Sequence, residues 1–468
     1  MSEEDGGRGD AEPLPGSFRD PAGFVFRREG TLFRQVNEIH RPHYDRLMSS
    51  GLYEDLVGRG LLIPHAEVDG SPAVRQGASL VLRPEPLRFV SYPYEWSFSQ
   101  LRDAALATLR IQEAALDHGM SLRDASAFNV QFHEGRPLLI DTLSFEELPE
   151  GRPWVAYRQF CQHFLAPLAL MSYRDARLGR LSSVHLDGIP LDLAVGLLPK
   201  SARLRPGLQL HLFSHAKSQR RHASDAEPAA ASRGKFSMQA FRGVLDSLRG
   251  SIEGLGLPED VSVWEDYYGT AAHYAEEAMA RKEELVRKFL AEIQPDSVWD
   301  LGANVGRFSK LATEGGAFTV AFDVDHACVD HAYRDAKTAG ETKLLPLVLD
   351  LTNPSPAIGW SNAERATVAE RGPADAVLAL ALVHHLAIAN NVPLPAVADY
   401  LAALGRHLVI EFVPKDDQMV QVLLRNREDV FPHYTAERFT EALDSRFEIV
   451  HREPIADSGR VLFLGRRR

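Results

Sequence analysis

The chain has 468 residues, with 52 Lys and Arg against 64 Asp and Glu, a formal net charge of −12, and 45% hydrophobic residues. This length is sufficient for two or three domains that each bury a core. The acidic balance argues against a general nucleic-acid binder, because such a protein needs a positive surface to displace counterions. No apolar run approaches the ~18 residues needed to cross a bilayer, so we expect no membrane partner.

The N-terminus and the cysteines both favour a cytoplasmic protein. The first 16 residues, MSEEDGGRGDAEPLPG, are acidic and rich in Gly and Pro, without the basic and apolar regions of an export signal. Cys161 and Cys328 are too few for a disulfide framework or a cysteine-based zinc site. No spacing of carboxylates and histidines matches a metal-ligand set, so we expect no metal.

The first part of the chain has the pattern of an α+β domain, over residues 19–212, after a disordered lead-in at 1–18. GFVFRR, a turn at Glu29 and Gly30, and TLFRQV predict a β-hairpin. A helix is expected around 43–59, then two strand-like runs, VRQGASLVLRP and LRFVSYPY, and a long helix over 97–118.

The second part of the chain has a different pattern. Residues 213–236 are small and polar without periodicity, which predicts a flexible linker, although a docking or modification segment is the alternative. Residues 237–296 are mostly helical. From 297 to 468 short apolar strands alternate with helices, and this alternation predicts an α/β fold with a doubly wound parallel sheet and a terminal β-hairpin.

The most informative segment is SVWDLGANVGRFSKLA, where a short strand containing Asp300 leads into a turn with Gly302 and Gly306. Such a turn lets a ligand approach the backbone, and the helix that follows supplies free N–H donors. The spacing differs from the dinucleotide fingerprint, which would place a glycine at Asn304. Because Asn tolerates a left-handed conformation, Asn304 can still form the turn.

Each of the five predicted parallel strands ends in a polar residue. The second ends in Asp323, about 20 residues after Gly302, where an acid can bind two ribose hydroxyls. The others end in Asp300, Asp350, His384 with His385, and Glu411. Since ligands of doubly wound sheets bind at the carboxyl ends of the strands, these residues outline a site.

Residues 260–468 resemble the class I S-adenosylmethionine-dependent methyltransferases, whose first motif is similar to DLGANVG. The resemblance implies S-adenosylmethionine as the cofactor. It places Asp300 near the methionine amino group, Asp323 at the ribose, and Asp350 with Leu351 at the adenine. It also places Gly302, Asn304 and Gly306 beside the cofactor, and it compares residues 237–296 with a lid helix whose Tyr274 contacts the cofactor.

Methyl transfer is an in-line displacement, so the enzyme mainly has to align the acceptor and exclude water. A general base helps only where the acceptor loses a proton. The candidates are His384, His385 and Glu411, although these residues could instead cap a helix or line the cofactor pocket. We expect the acceptor to be an oxygen or nitrogen of a small or carrier-bound metabolite, and the oligomeric state stays open.

The first domain carries a second motif, SLRDASAFNVQFHEGRPLLIDTLSF, with Asp124, Asn129 and Asp141. It resembles the catalytic loop and the metal-binding Asp of protein kinase-like and aminoglycoside phosphotransferase-like folds. The departures are the absence of any lysine before Lys200, of a glycine-rich loop, and of Asp-Phe-Gly; Arg34 lies where the strand lysine would be. The domain could be an active kinase, a degenerate module that binds a ligand or partner, or a structural domain.

Four alternatives remain open. The second part could be a nicotinamide enzyme or a non-catalytic relic. The protein could also be a binding scaffold, or a bifunctional kinase-methyltransferase. An overall similarity to unassigned methyltransferases sometimes labelled nodulation-type implies nothing about the acceptor.

Overall fold

A computed structural model describes residues 11–68, 77–217, 236–257, 276–425, 428–455 and 458–468. The chain forms two compact units. The first consists of Met1–Pro258 with Ala357–Arg365, and the second of Glu259–Pro356 with Ala366–Arg468. None of the helices in the described ranges is both long and apolar enough to span a bilayer.

The first unit contains a five-stranded antiparallel sheet with the order β1-β2-β3-β5-β4. Its strands are β1 (Glu12–Pro13), β2 (Gly23–Arg28), β3 (Thr31–Asn37), β4 (His65–Glu67) and β5 (Ala78–Pro84). The predicted hairpin of β2 and β3 is confirmed, and Glu29 and Gly30 both have positive φ (49° and 78°), as a two-residue hairpin turn requires. Because β1 pairs with β2, the expected disorder of 1–18 does not extend to residues 11–18.

The helices of the first unit are Arg41–Ser49, Leu52–Gly58, Phe98–Asp117, Tyr157–Phe160, Ala166–Tyr173, Leu191–Leu197, Pro206–Leu208 and Met238–Glu253, with π-helical turns at Cys161–Leu165 and Gln209–Ser214. The predicted long helix is confirmed, and the Ser97 hydroxyl caps it by accepting from the amide of Gln100. The helix expected at 43–59 is divided in two at Gly51, whose φ is 81°.

The run LRFVSYPY, predicted as a strand, forms no strand; its last two residues begin a short 3₁₀-helix at Pro93–Glu95. The amide and carbonyl of Ser91 instead bond to the buried side chain of Gln131, at 2.9 and 2.8 Å. The Gln131 side chain thus forms the backbone hydrogen bonds that a neighbouring strand would otherwise form. In addition, the prolines in and before this run have no N–H to donate to a neighbouring strand.

Two short antiparallel pairs carry the segment of the first unit whose sequence pattern resembles a kinase catalytic loop. Strand β6 (Met120–Leu122) pairs with β9 (Phe145–Glu147), and β7 (Val130–His133) pairs with β8 (Arg136–Leu139). The loops between these four strands therefore hold Asp124, Asn129 and Asp141, which is the arrangement that the segment predicts.

The second unit contains a seven-stranded sheet with the order β12-β11-β10-β13-β14-β16-β15. The strands are β10 (Ser297–Leu301), β11 (Phe318–Asp323), β12 (Leu344–Val348), β13 (Ala374–Ala379), β14 (Gly405–Phe412), β15 (Phe447–Pro454) and β16 (Val461–Arg467). Strands β10 to β14 are parallel, and β16 lies antiparallel between β14 and β15. The predicted doubly wound sheet with an antiparallel last strand is confirmed.

The helices of the second unit are Glu276–Ile293, Arg307–Glu314, His326–Ala339, Leu394–Leu404, Gln418–Leu424 and Ala436–Asp444, with a π-helical turn at His385–Ala389. Strand β13 ends at Ala379, earlier than the predicted end at His384 and His385. The reason is local, because Ala381 has a left-handed φ of 51°, which cannot continue a strand.

The predicted lid over 237–296 is divided between the two units. Helix Met238–Glu253 packs in the first unit, where its Arg242 and Arg249 form ion pairs with Asp117 and Glu113. Only the part from 259 onward belongs to the second unit. Residues 213–217 of the predicted linker are helical, and 218–235 lie outside the described residues.

Candidate active site

The glycine turn follows β10 at the carboxyl edge of the seven-stranded sheet. Gly302, Asn304 and Gly306 all have positive φ, at 76°, 52° and 81°, so the expected left-handed conformation of Asn304 is confirmed. The amides of Gly302 and Ala303 both donate to the carbonyl of Phe322, at 2.8 and 2.9 Å. These bonds hold the turn against the end of β11, and helix Arg307–Glu314 begins directly after it.

Asp300 lies near the end of β10 and is only 2% exposed. One of its oxygens accepts a hydrogen bond from the Ser309 hydroxyl at 2.6 Å, and among the described residues no cation is within ion-pair distance of it. Burial raises the pKa of Asp300 to about 6, opposed by Ser309 and the charge of Lys282 and assisted by Asp323. This carboxylate is therefore buried without a direct counter-charge from any described residue, which is unfavourable unless another group, such as a ligand, supplies one.

Asp323 is the last residue of β11, and backbone amides orient its carboxylate. One oxygen accepts from the amide of Asn304 at 2.7 Å, and the other accepts from the amide of Asp325 at 2.9 Å. Burial raises the pKa of Asp323, while these amide bonds lower it. Asp323 thereby joins the glycine turn to the strand end, and each oxygen keeps a lone pair for a further donor.

Asp350 and Leu351 follow β12, next to the end of β11. The amide of Leu349 donates to the carbonyl of Asp323 at 2.8 Å, which places the two strand ends side by side. The Asp350 carboxylate itself caps a local turn by accepting from the amide and hydroxyl of Thr352. Asp350 and Leu351 are both half-buried.

His384 and His385 follow β13 in the turn that begins at Ala381. His384 is fully buried, and neither of its ring nitrogens has a hydrogen-bond partner among the described residues. Burial, His385 and Arg460 together lower the pKa of His384 well below its ordinary value, so its ring is neutral at pH 7. His385 is half-buried, its ring centroid lies 4.2 Å from that of His384, and burial lowers its pKa as well.

Glu411 lies within β14 and is fully buried in an ion-pair cluster. One carboxylate oxygen accepts from Lys282 Nζ at 2.5 Å and from the amide of Ala381 at 2.8 Å. The other oxygen accepts from Arg460 at 3.1 Å, and Arg460 also pairs with Asp417 at 2.7 Å. Both oxygens of Glu411 are therefore engaged, unlike the free carboxylate that a general base needs.

The first unit has a separate polar cluster. Arg34 on β3 forms a salt bridge with Asp141, and Asp141 also accepts from the Ser144 hydroxyl at 2.6 Å. Burial by itself would raise the pKa of Asp141. The charge of Arg34 and the hydrogen bond from Ser144 oppose burial, and the pKa is lowered as a result. Among the described residues no three His, Cys, Asp or Glu side chains form a candidate metal site.

Asp124 and Asn129, the other two residues predicted from the motif SLRDASAFNVQFHEGRPLLIDTLSF, lie beside Asp141. Asp124 accepts from Gln159 at 2.8 Å and from the amide of Ser126, and Asn129 donates to Ser144 at 3.3 Å. Burial, and then the charge of Asp141, raise the pKa of Asp124. The structure thus brings together all three residues of the kinase-like motif with Arg34.

A comparison with curated proteins gives one relative of nearly the same length. Nodulation protein NoeA of Rhizobium meliloti (strain 1021) is 37% identical over 470 residues, covering 97% of this chain and 96% of the relative. The chain belongs to the NoeA family. No protein-family model matches it.

Two solved structures similar to this NoeA family member each cover less than half of it. One is magnesium protoporphyrin IX methyltransferase from Synechocystis PCC 6803 (18% identity, 44% of this chain and 93% of that chain, TM-score 0.31). Another is N-methyltransferase NodS from Bradyrhizobium japonicum WM9 (12% identity, 41% and 97%, TM-score 0.30). Since these TM-scores are low, the fold class of this family member is established by its own strand order.

Tyr274, the predicted lid contact in this NoeA family member, lies outside the described residues. Some other residues of the candidate site were not predicted from the sequence. Lys282 and Arg460, which pair with Glu411, were not predicted as its partners, although a glutamate in the apolar run LVIEFV signals that a buried cation must lie nearby. The position of Ser309, nine residues after Asp300, gave no comparable signal.

Proposed function

We propose that this protein is an S-adenosylmethionine-dependent methyltransferase whose cofactor site is the carboxyl edge of the seven-stranded sheet. The observation that carries the proposal is the placement of Asp300 and Asp323 at adjacent strand ends, on either side of the left-handed turn of Gly302, Asn304 and Gly306. Buried carboxylates and a turn without bulky side chains are a suitable set of groups for a polar, cationic nucleoside ligand.

The residues present fit this cofactor at each of its polar groups. Asp300, which is buried and forms no ion pair with any described residue, is suited to the α-ammonium group of the methionine portion. Asp323 is suited to the ribose hydroxyls, and Asp350 with Leu351 to the adenine. When bound, S-adenosylmethionine supplies an electrophilic methyl group on a sulfonium.

Beyond binding the cofactor, the protein has to place the methyl acceptor, exclude water and take up the proton that the acceptor loses. We assign the proton to His384, because neither of its buried ring nitrogens has a partner among the described residues and its neutral ring can accept a proton. His385 is the alternative, since it lies on the same turn. The acceptor is an oxygen or nitrogen of a small or carrier-bound metabolite, from which the base removes the proton.

Calorimetry with S-adenosylhomocysteine against NAD tests the cofactor. We expect binding of S-adenosylhomocysteine and none of NAD, and the reverse result would favour a nicotinamide enzyme. In Asp323→Ala the affinity for S-adenosylhomocysteine should fall by about 1 to 3 kcal/mol, the usual range for a hydrogen bond that involves a charged group. Asp323→Asn, which keeps one oxygen to accept from the Asn304 amide, is the matched control. Unchanged affinity in Asp323→Ala would remove this residue from the site.

Detection of a methylated product separates an enzyme from a binding scaffold. Mass spectrometry of cell extracts with and without the gene should reveal a compound that differs by one methyl group. The compound should also disappear with His384→Gln while S-adenosylhomocysteine still binds. Binding without any methylated product would support the scaffold.

For the first unit we propose a kinase-like module that does not transfer phosphate. The supporting observation is the salt bridge of Arg34 with Asp141, because the family resemblance assigns this carboxylate to magnesium. A carboxylate already paired with a guanidinium is a weaker ligand for a metal ion. We expect no phosphate transfer from γ-labelled ATP in the presence of magnesium, and a labelled product would instead favour the bifunctional enzyme.

A further inference from the structure

We propose that Glu411 is a positioning residue, which holds the turn that carries His384 against the glycine turn, and that it is not the proton acceptor. This inference rests on the proposed methyltransferase function. It assigns a role to a buried ion-pair cluster that cofactor binding by Asp300 and Asp323 does not explain.

Three separate elements meet at the Glu411 side chain. The amide of Ala381, in the turn after β13, donates to it at 2.8 Å. Lys282, from helix Glu276–Ile293, donates to the same oxygen at 2.5 Å, and Arg460, from the loop before β16, donates to the other at 3.1 Å. A side chain in β14 thus fixes the positions of a helix, a turn and a loop at one edge of the sheet.

The turn after β13 needs such an anchor because its geometry is unfavourable. Ala381 has φ of 51°, a left-handed conformation that residues with a Cβ atom rarely adopt. A hydrogen bond from its amide to a buried carboxylate is a strong, charge-assisted contact that can hold this conformation. Without an acceptor at Glu411, the amide would lose its partner and the turn would relax.

The turn reaches both parts of the proposed site. Leu382 lies against the glycine turn, since a Cβ atom added at Gly302 would be 3.4 Å from its Cδ1 atom. His384 follows two residues later, and the amide of His385 donates to the carbonyl of Leu382 at 2.9 Å. A shift of Ala381 would therefore move the base candidate and the wall of the cofactor turn together.

The charges around Glu411 make it unsuited to accept a proton. Among the described residues, the ion pairs of this cluster join two cations, Lys282 and Arg460, to two carboxylates, Glu411 and Asp417, and these four charges balance. Protonation of Glu411 would leave an excess positive charge in the interior, which is unfavourable. Among the described residues the ring nitrogens of His384 have no hydrogen-bond partner, so protonation of His384 breaks no ion pair, although burial, Arg460 and Lys282 lower its pKa.

The test compares two charge-balanced double variants, Glu411→Gln with Lys282→Met and Glu411→Leu with Lys282→Met. Both remove one positive and one negative charge, and Arg460 keeps Asp417 as its partner. Only Gln retains a side-chain oxygen that can accept from the Ala381 amide. Transfer of tritiated methyl from labelled S-adenosylmethionine to an extract of cells lacking the gene measures the rate, and calorimetry with S-adenosylhomocysteine measures cofactor binding.

We expect the Gln variant to transfer methyl on the order of tenfold faster than the Leu variant, since small displacements of a reacting group lower rates strongly. Adding Ala381→Gly to the Leu variant should recover part of the rate, because glycine adopts the left-handed conformation without strain. If both double variants lose transfer by more than about a thousandfold while binding S-adenosylhomocysteine, the carboxylate is the base and the proposal is overturned.

Two further results are equally decisive. If both double variants transfer at the wild-type rate but unfold at lower temperature, Glu411 is only structural, and the positioning role is overturned. If the Leu variant does not fold, the Gln variant is compared with wild type, and a rate within about a hundredfold supports positioning. A wild-type protein that does not bind S-adenosylhomocysteine would instead refute the proposed function.

Discussion

The acidic clusters of the two units differ in how their carboxylates are balanced. In the second unit, Asp300 is buried and accepts from a hydroxyl, it pairs with no cation among the described residues, and its pKa is raised. In the first unit, Asp141 is paired with Arg34, and its pKa is lowered. A carboxylate whose charge is already balanced stabilises the fold. A buried carboxylate whose charge is not balanced destabilises the fold, and a cationic ligand that pairs with it removes that cost. The comparison separates a carboxylate that is balanced within the fold from one that is suited to a cationic ligand.

Arg34→Ala should have the largest effect on stability. It leaves Asp141 without its cation in a site where both side chains are less than 15% exposed, and we expect a loss of about 2 to 3 kcal/mol in the free energy of unfolding of the first unit. Chemical unfolding followed by circular dichroism measures this. Arg34→Lys, which keeps the charge but not the planar fork, should lose less. Unaltered stability in Arg34→Ala would show that Asp141 does not depend on its partner.

Asp300→Asn should have opposite effects on stability and binding. The folded-state pKa of Asp300 is raised, so its penalty is fully present above pH 6 and absent near pH 4. Removing the charge should therefore raise the free energy of unfolding by about 1 to 2 kcal/mol at pH 8, after a weaker bond to Ser309 is allowed for. The affinity for S-adenosylhomocysteine should fall by a similar amount.

Thermal unfolding at pH 8 and pH 4.5, with calorimetry, checks both effects of Asp300→Asn. Ser309→Ala is the matched control, because it removes the hydrogen bond but keeps the charge, and it should not stabilise the protein. A variant that is less stable than wild type at pH 8 would place Asp300 among the structural acids with Asp141.

The sequence predicts the strands, and the positions of Asp300 and Asp323 at strand ends, far better than the contacts between distant elements. The apolar strands, the left-handed Asn304 and the terminal hairpin follow from local patterns, and the structure confirms them. The partners of Glu411 could not be predicted, because Lys282 and Arg460 lie 129 and 49 residues away along the chain, and only the folded sheet brings them together. The early end of β13 was missed because an alanine in a left-handed conformation has no sequence signal.

The affinity for S-adenosylhomocysteine should decrease as the pH falls below about 6. Only the ionised form of Asp300 attracts an ammonium group, and burial raises its pKa to about 6, with Ser309 and Lys282 opposing and Asp323 assisting. Affinity should fall by up to tenfold per pH unit below that value and stay level between pH 7 and 8. Calorimetry from pH 5 to 8 measures this. The same series on Asp300→Asn should lack this decrease, and a persisting decrease would assign it to another group.

The smallest effect is expected at Asn304, where the contribution of the backbone conformation can be measured separately from that of the side chain. Its φ of 52° suits glycine, and its amide donates to Asp323 whatever the side chain is. Asn304→Gly should therefore change the free energy of unfolding by less than about 0.5 kcal/mol and leave S-adenosylhomocysteine binding within threefold, while Asn304→Ala should cost about 1 kcal/mol, because alanine is strained there. Thermal unfolding and calorimetry on the two variants decide this. If Gly and Ala weaken S-adenosylhomocysteine binding equally, the Asn304 side chain itself contacts the ligand. The turn then contributes a side chain to the site, in addition to the backbone that connects Asp300 with Asp323.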